Sequence, residues 1–553
     1  MTQAPIISVR TSYTDAVTPD EIIDQLLKDR AVGDSEDFLN PPLPSTISLA
    51  TFFEKESEFQ KSWKKTLILL KKLHDAKAPI VVYSDYDADG VTGGAIMWEG
   101  MHKLGFNVMP YIPDRKTEGY GFSIKGLDAV IKEHNPELII SVDHGIVGHK
   151  QITYALSKNI PVIVTDHHQI QDAPPKDAFA VFHSDKLSGS GVAYFFIQEL
   201  YKEWDQKVPD DYAAFAAIGT VCDLIPLVGA TRSLVKFGLQ ALSRTARLGL
   251  RNMMKEAGID GKSMDTYHIG FVLGPRINAF GRLEHAIDAL RLLCTTSLGR
   301  ANELAQKASS INKQRQSIVE TSVREALKSV DATGKLLILK SEDWDEGIIG
   351  LIAGKVLQTY YRPTIVLTRS DGHYKASVRS VSGVDIMKFL TKQRKHFTDM
   401  GGHKAAAGFT IPAENIDAWM EVAMKQAEED ITDEDLIPRL EVDAEVPLSS
   451  ITFPLAQQLQ ELEPYGMGNA KPLFSTLATV KDTMALGKTG AHCKLLLQNG
   501  DTTLEVLQFN MSKEKCLSKN TKARFVLEVS VNEWNGRQSL QAMVKHMEEL
   551  PDK

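Results

Sequence analysis

SDYDADGVTGG, residues 84–94, places three aspartates within five positions, directly after the apolar run IVVY (80–83). Carboxylates this close repel one another, and some of them stay protonated at neutral pH unless a cation neutralises them. An EF-hand calcium loop also begins Asp-x-Asp-x-Asp-Gly, but it carries a glutamate at its twelfth position and lies between two helices. Counting from Asp85 places Ile96 at that position, and the run before the loop is typical of a strand. The stretch is therefore not an EF-hand, and its aspartates need another explanation.

Size and composition are those of an ordinary globular protein with several domains. The chain has 553 residues, which as a prior suggests about three or four domains. Hydrophobic residues make up 43% and charged residues 24% of the chain. The net charge of −8, from 63 basic and 71 acidic side chains, argues mildly against nucleic-acid binding, although a local basic groove is compatible with it. The lysine-rich stretch KSWKKTLILLKK (61–72) is better explained as the solvated face of a helix than as a phosphate-binding track.

Cysteine usage and the lack of a membrane signal indicate a cytoplasmic protein. The four cysteines lie far apart and include no Cys-x-x-Cys pair, so we expect no disulfide framework: Cys222, Cys294, Cys493 and Cys516. We find no run of 18 or more apolar residues, and the first residues lack the basic-then-apolar pattern of a signal peptide. We therefore expect a protein of the reducing cytosol that does not associate with membranes.

Five successive regions can be distinguished along the chain. Residues 1–50 form an arm that is irregular except for one helix at PDEIIDQLLKDR. In 51–299, the strands PIVVYSD, ELIISVD and IPVIVTD alternate with helices, which is typical of βαβ units and a parallel sheet. A charged helix without internal Pro or Gly (300–330) fills most of a connecting region, 300–334, that leads to a smaller α/β domain at 335–430. Residues 431–553 contain short strand-like segments that favour a small β-barrel, with an OB-fold the leading interpretation, and the acidic stretch 427–445 is interpreted as a linker.

Acidic groups follow each predicted strand of the first α/β domain. The acids and histidines at these strand ends are Asp85, Asp87 and Asp89, then Asp143 of SVDHG, and then Asp166, His167 and His168 of VTDHH. Parallel strands present their carboxyl ends at one edge of a sheet, and ligands bind in the crevice beyond that edge. An Asp after a single strand is explained as readily by an N-cap of the next helix. Three consecutive strand ends with the same feature, one of them with two adjacent histidines, make capping an insufficient explanation.

A pair of divalent metal ions accounts for the crowded carboxylates. Carboxylates together with imidazole suit Mn²⁺ or Mg²⁺ better than structural zinc. A further acid, Asp223 in GTVCDLIP, follows an apolar helix and completes a set of four with Asp87, Asp89 and Asp143. Four negative charges balance two divalent ions, and two ions about 3.5–4 Å apart are the usual device for in-line attack of water on a phosphate ester. The residues thus predict a metal-dependent phosphoesterase.

The motifs YSDYDADG, SVDHG, VTDHH and GTVCDLIP resemble, in this order and spacing, the four motifs of the DHH phosphoesterase superfamily. Further stretches resemble the single-strand-specific DNA exonucleases of that superfamily along nearly the whole chain: RKTEGYG (115–121), SGSGVAYF (188–195), LGPRINAFGRL (273–283), WDEGIIGLIAGKV (344–356), KASVRS (375–380), GGHKAAAGF (401–409), EPYGMGNAKPLF (463–474) and the tail NEWNGRQSLQ (532–541). The resemblance implies a parallel-sheet DHH domain (51–299), a smaller α/β DHH-associated domain (335–430) and an OB-like nucleic-acid-binding domain (431–553). It also implies an enzyme of DNA repair and recombination that removes nucleotides from the 5′ end of single-stranded DNA.

The resemblance assigns metal-site roles to individual residues. Asp89, Asp143, His167 and Asp223 would hold one ion, and Asp87 with a bridging Asp143 would hold the other. His168 would contact the scissile phosphate, and Asp85 would be either a ligand or a partner of one. Many superfamily members carry His at the position of Tyr83, which predicts weaker binding of the first metal here.

The resemblance also implies residues and partners that contact DNA. The candidate DNA-binding residues are Arg115, Arg276, Ser377, Arg379, Gly402, His403 and Trp534. Arg276, Ser377 and Arg379 match positions that grip a 5′ phosphate, a role that suits a guanidinium and a hydroxyl. His403 would lie on a substrate cleft, and Trp534 is a candidate stacking platform in the barrel. The expected partners are single-stranded DNA, a single-strand binding protein and a helicase, and we expect a monomer.

Purely structural roles can also explain several of the candidate DNA-binding residues. Arg276 could anchor a helix, Gly401 and Gly402 could form a tight turn into a helix, and Trp534 is better explained by packing than by stacking. Two other departures from the family pattern are Asp345, where His is frequent, and VFHSD (181–185), which replaces an Asn-Pro turn.

Three functions remain in competition at this point. The first is the 5′ exonuclease, and the second is a DHH phosphodiesterase for short oligonucleotides, cyclic dinucleotides or pyrophosphate. Such enzymes usually need only the two α/β domains, so the region after 430 favours a long polymer. The third is a DNA-binding scaffold without activity, which would be expected to lose acids that this chain keeps.

Overall fold

The computed structural model describes residues 4–115, 118, 121–170, 173–487, 491–509, 516–534 and 536–551. The chain divides into two compact units. The first consists of the N-terminal residues up to Ser8 together with Ser310–Glu441, and the second combines Val9–Ser309 with Val442–Lys553. Within the described ranges, no helix is both long and apolar enough to cross a membrane.

The N-terminal arm is more regular than the sequence predicts. It contains β1 (Ile6–Ser12), α1 (Pro19–Asp29) and α2 (Ser35–Leu39). Helix α1 begins with a capping box, in which the side chain of Thr18 accepts from the Glu21 N–H and the Glu21 carboxylate accepts from the Thr18 N–H. One face of α1 enters the core of the C-terminal barrel through Ile22, Ile23, Leu26 and Leu27. The arm is therefore part of the barrel core.

A five-stranded parallel sheet forms the centre of the first α/β domain. Its strands are β2 (Ile80–Ser84), β3 (Val108–Tyr111), β4 (Leu138–Val142), β5 (Val162–Asp166) and β6 (Ala180–His183), in the order β3-β2-β4-β5-β6. Strands β2, β4 and β5 are buried along their whole length, as expected for a parallel sheet covered on both faces. These three are the strands that the sequence predicts. The two edge strands were missed because each has only four residues, and β3 contains Pro110.

Helices cover the sheet and extend beyond it. They are α3 (Glu56–Asp75), α4 (Ala88–Lys103), α5 (Ile124–His134), α6 (His149–Ser157), α7 (Gly189–Glu203), α8 (Tyr212–Cys222), α9 (Gly229–Ser243), α10 (Leu248–Glu256), α11 (Gly274–Leu283) and α12 (Ile287–Cys294). Helix α3 buries Phe59, Trp63 and Leu70 while the lysines of 61–72 are exposed. The lysine-rich stretch is thus a solvated helix face.

The other unit is a smaller α/β domain that follows α13 (Leu298–Ser329). Its elements are β7 (Leu337–Ser341), α14 (Ile349–Tyr360), β8 (Thr364–Ser370), β9 (His373–Arg379), α15 (Ile386–Thr391), β10 (Asp399–His403), β11 (Ala406–Pro412) and α16 (Ile416–Asp430). The strand order is β10-β11-β9-β8-β7, and only β7 and β8 run parallel. Gly401 and Gly402 lie in β10, so the interpretation of a tight turn into a helix is wrong.

The C-terminal region confirms the predicted barrel. It contains β12 (Arg439–Glu445), α17 (Phe453–Leu459), β13 (Leu473–Leu486), β14 (His492–Asn499), β15 (Thr502–Gln508), β16 (Lys522–Trp534) and β17 (Arg537–Glu549). Strands β13, β14, β15, β17 and β16 pair in that order, and pairing of β16 with β13 closes the ring.

Two expectations about this end of the chain need correction. The acidic stretch 427–445 is only in part a linker, because it begins in α16 and ends in β12. Cys493 and Cys516 form a disulfide with a Cα–Cα distance of 6.3 Å, whereas the sequence predicts none. The 23-residue separation gave no indication of this pair, which depends on the antiparallel pairing of β14 with β15 that sets Cys493 opposite Gln508.

Candidate metal centre

The carboxyl ends of β2, β4 and β5 bring the predicted acids to one edge of the sheet. Three carboxylates of the predicted metal set approach the same imidazole nitrogen, that of His167: Asp89, Asp143 and Asp223. The Nε2 atom of His167 lies 3.1 Å from Asp143 Oδ1, 3.5 Å from Asp223 Oδ2 and 3.9 Å from Asp89 Oδ2. These donors come from four places far apart in sequence: the first turn of α4, the ends of β4 and β5, and the C-terminus of α8.

The environment of Asp143 indicates that its carboxylate binds a cation. Its Oδ1 atom is buried and has no hydrogen-bond partner among the described residues, although His167 Nε2 is close. Burial, followed by the charges of Asp89 and Asp87, raises the pKa of Asp143 well above its ordinary value. Its backbone has φ of 65°, a conformation that costs free energy for a non-glycine residue and is concentrated at functional sites. A buried, unpartnered carboxylate oxygen beside an imidazole fits a metal ligand.

Backbone N–H groups hold Asp89 in place. The N–H of Gly189 donates to Asp89 Oδ2 over 2.6 Å, and the N–H of Ser190 donates to Oδ1 over 3.0 Å. Both groups lie in the first turn of α7, where unpaired N–H groups favour an anion. The stretch SGSGVAYF contains this turn, but sequence reasoning gave it no role.

Two glycines are required by the close packing of this site. A Cβ atom at Gly189 would lie 2.5 Å from Asp143 Oδ1, and a Cβ atom at Gly219 would collide with Asp89 Oδ1. Side chains at either position would push a carboxylate out of place.

Asp85 and Asp87 lie at the same sheet edge but play a different structural part. The donor atoms that approach one another within 4.8 Å belong to the groups Asp89–His167–Asp223 and Asp143–His167–His168, and in the described ranges neither group includes Asp85 or Asp87. Asp87 Oδ1 caps α4 by accepting from the N–H groups of Asp89 and Gly90, so the N-cap explanation holds for this residue.

Burial has a marked effect on the protonation of these acids. Burial, followed by the charge of Asp87, raises the pKa of Asp85 to about 7. Burial, followed by the charges of Asp89 and Asp87, raises the pKa of Asp223 to about 8. Burial also lowers the pKa of His167, which favours the neutral imidazole that a metal binds. A divalent cation would reverse the first two shifts by favouring the ionised carboxylates.

His168 is oriented by Asp166, a role that sequence reasoning did not assign. His168 Nδ1 lies 2.8 Å from Asp166 Oδ1, and the same carboxylate accepts from the N–H groups of His167 and Ile146. Burial alone would lower the pKa of His168, but the hydrogen bond from this ring and the charge of Asp166 raise it to about 9. Burial alone would raise the pKa of Asp166, but its hydrogen bonds hold that pKa well below its usual range. The pair thus keeps a positively charged imidazole next to the metal ligands at neutral pH.

Tyr83, which stands where many superfamily members have His, is fully buried in β2. Its hydroxyl donates to the carbonyl of Gly121 over 3.4 Å, and its ring packs against those of Phe122 and His144. Tyr83 therefore packs in the core on the side of α5 and contributes no donor atom to the two groups described above.

The candidate DNA-binding residues of the same unit show mixed environments. Arg276 donates through Nη1 to the carbonyl of Val272 over 2.7 Å and through Nε to Ser309 Oγ over 3.3 Å, contacts that suit a helix anchor. The Arg115 guanidinium lies 5.4 Å from the ring centroid of Tyr86, while most of the remaining RKTEGYG stretch falls outside the described residues. The side chain of Trp534 also lies outside them, although its backbone ends β16.

Four candidates of the smaller unit lie on the two strands that flank β11: Ser377 and Arg379 in β9, and Gly402 and His403 in β10. In β9, Arg379 Nη1 donates to Ser377 Oγ over 3.3 Å. Gly350, in the first turn of α14, faces both residues, since a Cβ atom there would lie 3.0 Å from Ser377 Oγ and 3.1 Å from Arg379 Nη2. Gly402 and His403 are exposed in β10. A guanidinium, a hydroxyl and a helix N-terminus at one place can bind a phosphate.

The fold and this site define a DHH-type phosphoesterase. Three family models match the chain: the DHH family N-terminal domain (79–220), the DHHA1 domain (333–429) and the RecJ OB domain (442–546). The chain belongs to the RecJ family.

Two relatives and two solved structures document this membership. The single-stranded-DNA-specific exonuclease RecJ of Bacillus subtilis is 34% identical over 88% of this chain, and the match spans 63% of that protein. The protein of the same name from Thermus thermophilus is 31% identical over 86% of this chain and 69% of its own length. Crystal structures of Thermus RecJ in complex with Mn²⁺ and with Mg²⁺ match 99% of this chain and 80% and 79% of theirs, with TM-scores of 0.81 and 0.73 and 27% and 25% identity.

Proposed function

We propose that the chain is a metal-dependent exonuclease that hydrolyses single-stranded DNA from its 5′ end and releases 5′-mononucleotides. The observation that carries this proposal is the approach of Asp89, Asp143 and Asp223 to the same His167 nitrogen, together with a buried Asp143 oxygen that has no hydrogen-bond partner among the described residues. The substrate follows from family membership and from the OB-like barrel.

Two Mn²⁺ or Mg²⁺ ions are the proposed cofactors. Asp89, Asp143, His167 and Asp223 would hold one ion, and Asp143 with Asp87, whose Oδ1 also caps α4, would hold the second. Metal ions in such a site act as Lewis acids and lower the pKa of bound water. The protein supplies fixed donors: α7 orients Asp89, and the strained backbone of Asp143 aims its carboxylate into the site. Asp85 is the proposed outer partner of this set.

His168 is proposed to act on the substrate phosphate. Because Asp166 raises the pKa of His168 to about 9, the ring carries a proton at neutral pH. A protonated imidazole can donate to a phosphate oxygen and stabilise the negative charge that grows there during hydrolysis. Asp166 fixes the ring through Nδ1, which leaves Nε2 as the nitrogen available to the substrate.

Recognition of the 5′ end is proposed for the smaller unit. Ser377, Arg379 and the first turn of α14 would bind the terminal phosphate, and Gly350 lets the helix backbone lie close to both side chains. Arg115, Arg276, Gly402, His403 and Trp534 remain proposed DNA contacts. We also propose that the chain acts as a cytoplasmic monomer and that its partners are a single-strand binding protein and a helicase. The proposed domain boundaries are 51–299, 335–430 and 431–553.

The test is digestion of single- and double-stranded DNA labelled at either end, with Mn²⁺, Mg²⁺ or excess chelator. We expect mononucleotides to be released from 5′ ends of single strands only, and only with metal. Activity restricted to dinucleotides or cyclic dinucleotides would favour the smaller DHH phosphodiesterases instead. Binding without cleavage under all conditions would indicate a DNA-binding scaffold.

A further inference from the structure

Arg232, on α9, is a buried cation that has no role in the proposed reaction. The residue is 1% exposed, and burial lowers the pKa of its guanidinium to about 10, which leaves it charged at neutral pH. A buried charge destabilises a protein unless hydrogen bonds compensate it. The compensating groups should therefore show what this side chain is for.

The guanidinium of Arg232 donates hydrogen bonds to backbone carbonyls of two distant segments. Nε–H donates to the carbonyl of Phe38 in the N-terminal arm over 2.6 Å. Nη2 donates to the carbonyl of Glu463 over 2.8 Å and Nη1 to that of Pro464 over 3.4 Å, just ahead of the barrel. The guanidinium also lies 3.8 Å from the ring centroid of Phe38. One side chain thus joins the catalytic domain, the arm and the segment that leads into the barrel.

Other contacts extend this connection into what we call the barrel interface, formed by residues 224–232 and 463–469. The N–H of Leu227 donates to the carbonyl of Met467 over 2.8 Å. Gly466 packs so closely that a Cβ atom there would lie 2.7 Å from Leu227 Cδ1. From the neighbouring turn, Thr266 Oγ1 donates to the carbonyl of Tyr465 over 2.6 Å.

The barrel interface is short, and it connects the metal site at one end with the barrel at the other. Residue 224 directly follows the metal-site acid Asp223, and β13 of the barrel begins at Leu473, four residues after 469. Two binding modules on a stiff connection present the second module at a high effective concentration, whereas a loose connection lowers it. We propose that Arg232 is a positioning residue, which fixes the barrel against the metal site so that a strand bound by the barrel is delivered to the site. This inference rests on the proposed function.

The test is Arg232→Met, which keeps an unbranched side chain but removes the charge and the donors. The substrates are a strand of about 20 nucleotides, longer than the ~4–16 that one OB-fold covers, and a trinucleotide. We expect the KM for the long strand to rise about tenfold or more, with kcat/KM for the trinucleotide within about twofold of the parent. Arg232→Lys should rescue part of the defect. The control is Arg251→Met, an exposed arginine on α10 of the same domain, for which no change is expected.

Equal losses on both substrates, or no loss on the long strand, would overturn the inference. If Arg232→Met fails to fold, Thr266→Val decides the question, since it removes one hydrogen bond of the neighbouring contact and should raise the KM for the long strand alone. A parent enzyme that cuts no single-stranded DNA contradicts the proposed function instead. A parent that cuts both substrates while both variants match it contradicts only the role of Arg232.

Discussion

Asp166→Asn should weaken catalysis without removing any proposed metal ligand. Asp166 accepts four hydrogen bonds, from the N–H groups of Ile146, His167 and His168 and from His168 Nδ1, at 2.7–3.2 Å. The amide keeps the shape but loses the charge and one acceptor oxygen. Hydrogen bonds to a charged group are worth about 1.5–3 kcal/mol, and loss of a partner that orients ligands typically costs about 10- to 100-fold. We expect kcat/KM on single-stranded DNA to fall by about 10- to 100-fold.

The pH dependence distinguishes this role of Asp166 from a general loss of packing. Asp166 raises the pKa of His168 to about 9, and without its charge this pKa should return toward the ordinary value of about 6.5. The charged ring is then lost at lower pH, so the deficit of the variant should widen between about pH 6 and pH 8.5. Initial rates on labelled strands measure this, with Asp177→Asn, an exposed aspartate after β5, as the matched control. A variant with kcat/KM within about twofold of the parent at all pH values would refute the reasoning.

Three further predictions follow from particular contacts. Gly219→Ala should abolish cleavage because its Cβ would displace Asp89, whereas Gly354→Ala, with open space around it, should leave activity unchanged in the same assay. Arg379→Ala should reduce the preference for 5′-phosphorylated over 5′-hydroxyl strands by about 10- to 100-fold, and an unchanged preference would refute its phosphate role. The metal-free protein should lose stability as the pH rises from about 4 to 8. Burial raises the pKa of Asp85 to about 7 and that of Asp223 to about 8, both above the values in the unfolded chain, so protonation favours the folded state. Thermal melts should show this slope and its removal by Mn²⁺, and a stability that rises over this window would contradict it.

The central part of the fold could be predicted because its signals are local. Strands β2, β4 and β5 are continuous apolar runs, and each ends in an acid or an acid–histidine group, so topology alone brings these groups together. The edge strands β3 and β6 have only four residues each, and β12 has the largely polar sequence RLEVDAE, so neither kind of strand carries a strong local signal. The disulfide Cys493–Cys516 depends on the register of β14 against β15, which the cysteine spacing does not reveal.

The site shows the same division between local and tertiary information. The residue types of Asp89, Asp143, His167 and Asp223 could be predicted, but the groups that orient them could not. The first turn of α7 that holds Asp89 lies 100 residues away in sequence, and Asn278, which accepts from the Ala88 N–H beside Asp87, lies 190 residues away. The local sequence does not predict such hydrogen-bond partners. Asp166 was visible beside the two histidines, but its position in the motif favours a ligand as readily as an orienting partner.

Equilibrium binding of Mn²⁺, followed by the electron paramagnetic resonance signal of the free ion, tests most directly whether the crowded acids hold metal. We predict that the parent protein binds two ions and that Asp143→Ala loses both, because its carboxylate is proposed to bridge them. Tyr83→Phe should bind as the parent does, because the Tyr83 hydroxyl contacts the Gly121 carbonyl in the core. Full binding by Asp143→Ala, or a larger loss in Tyr83→Phe than in Asp143→Ala, would contradict the account.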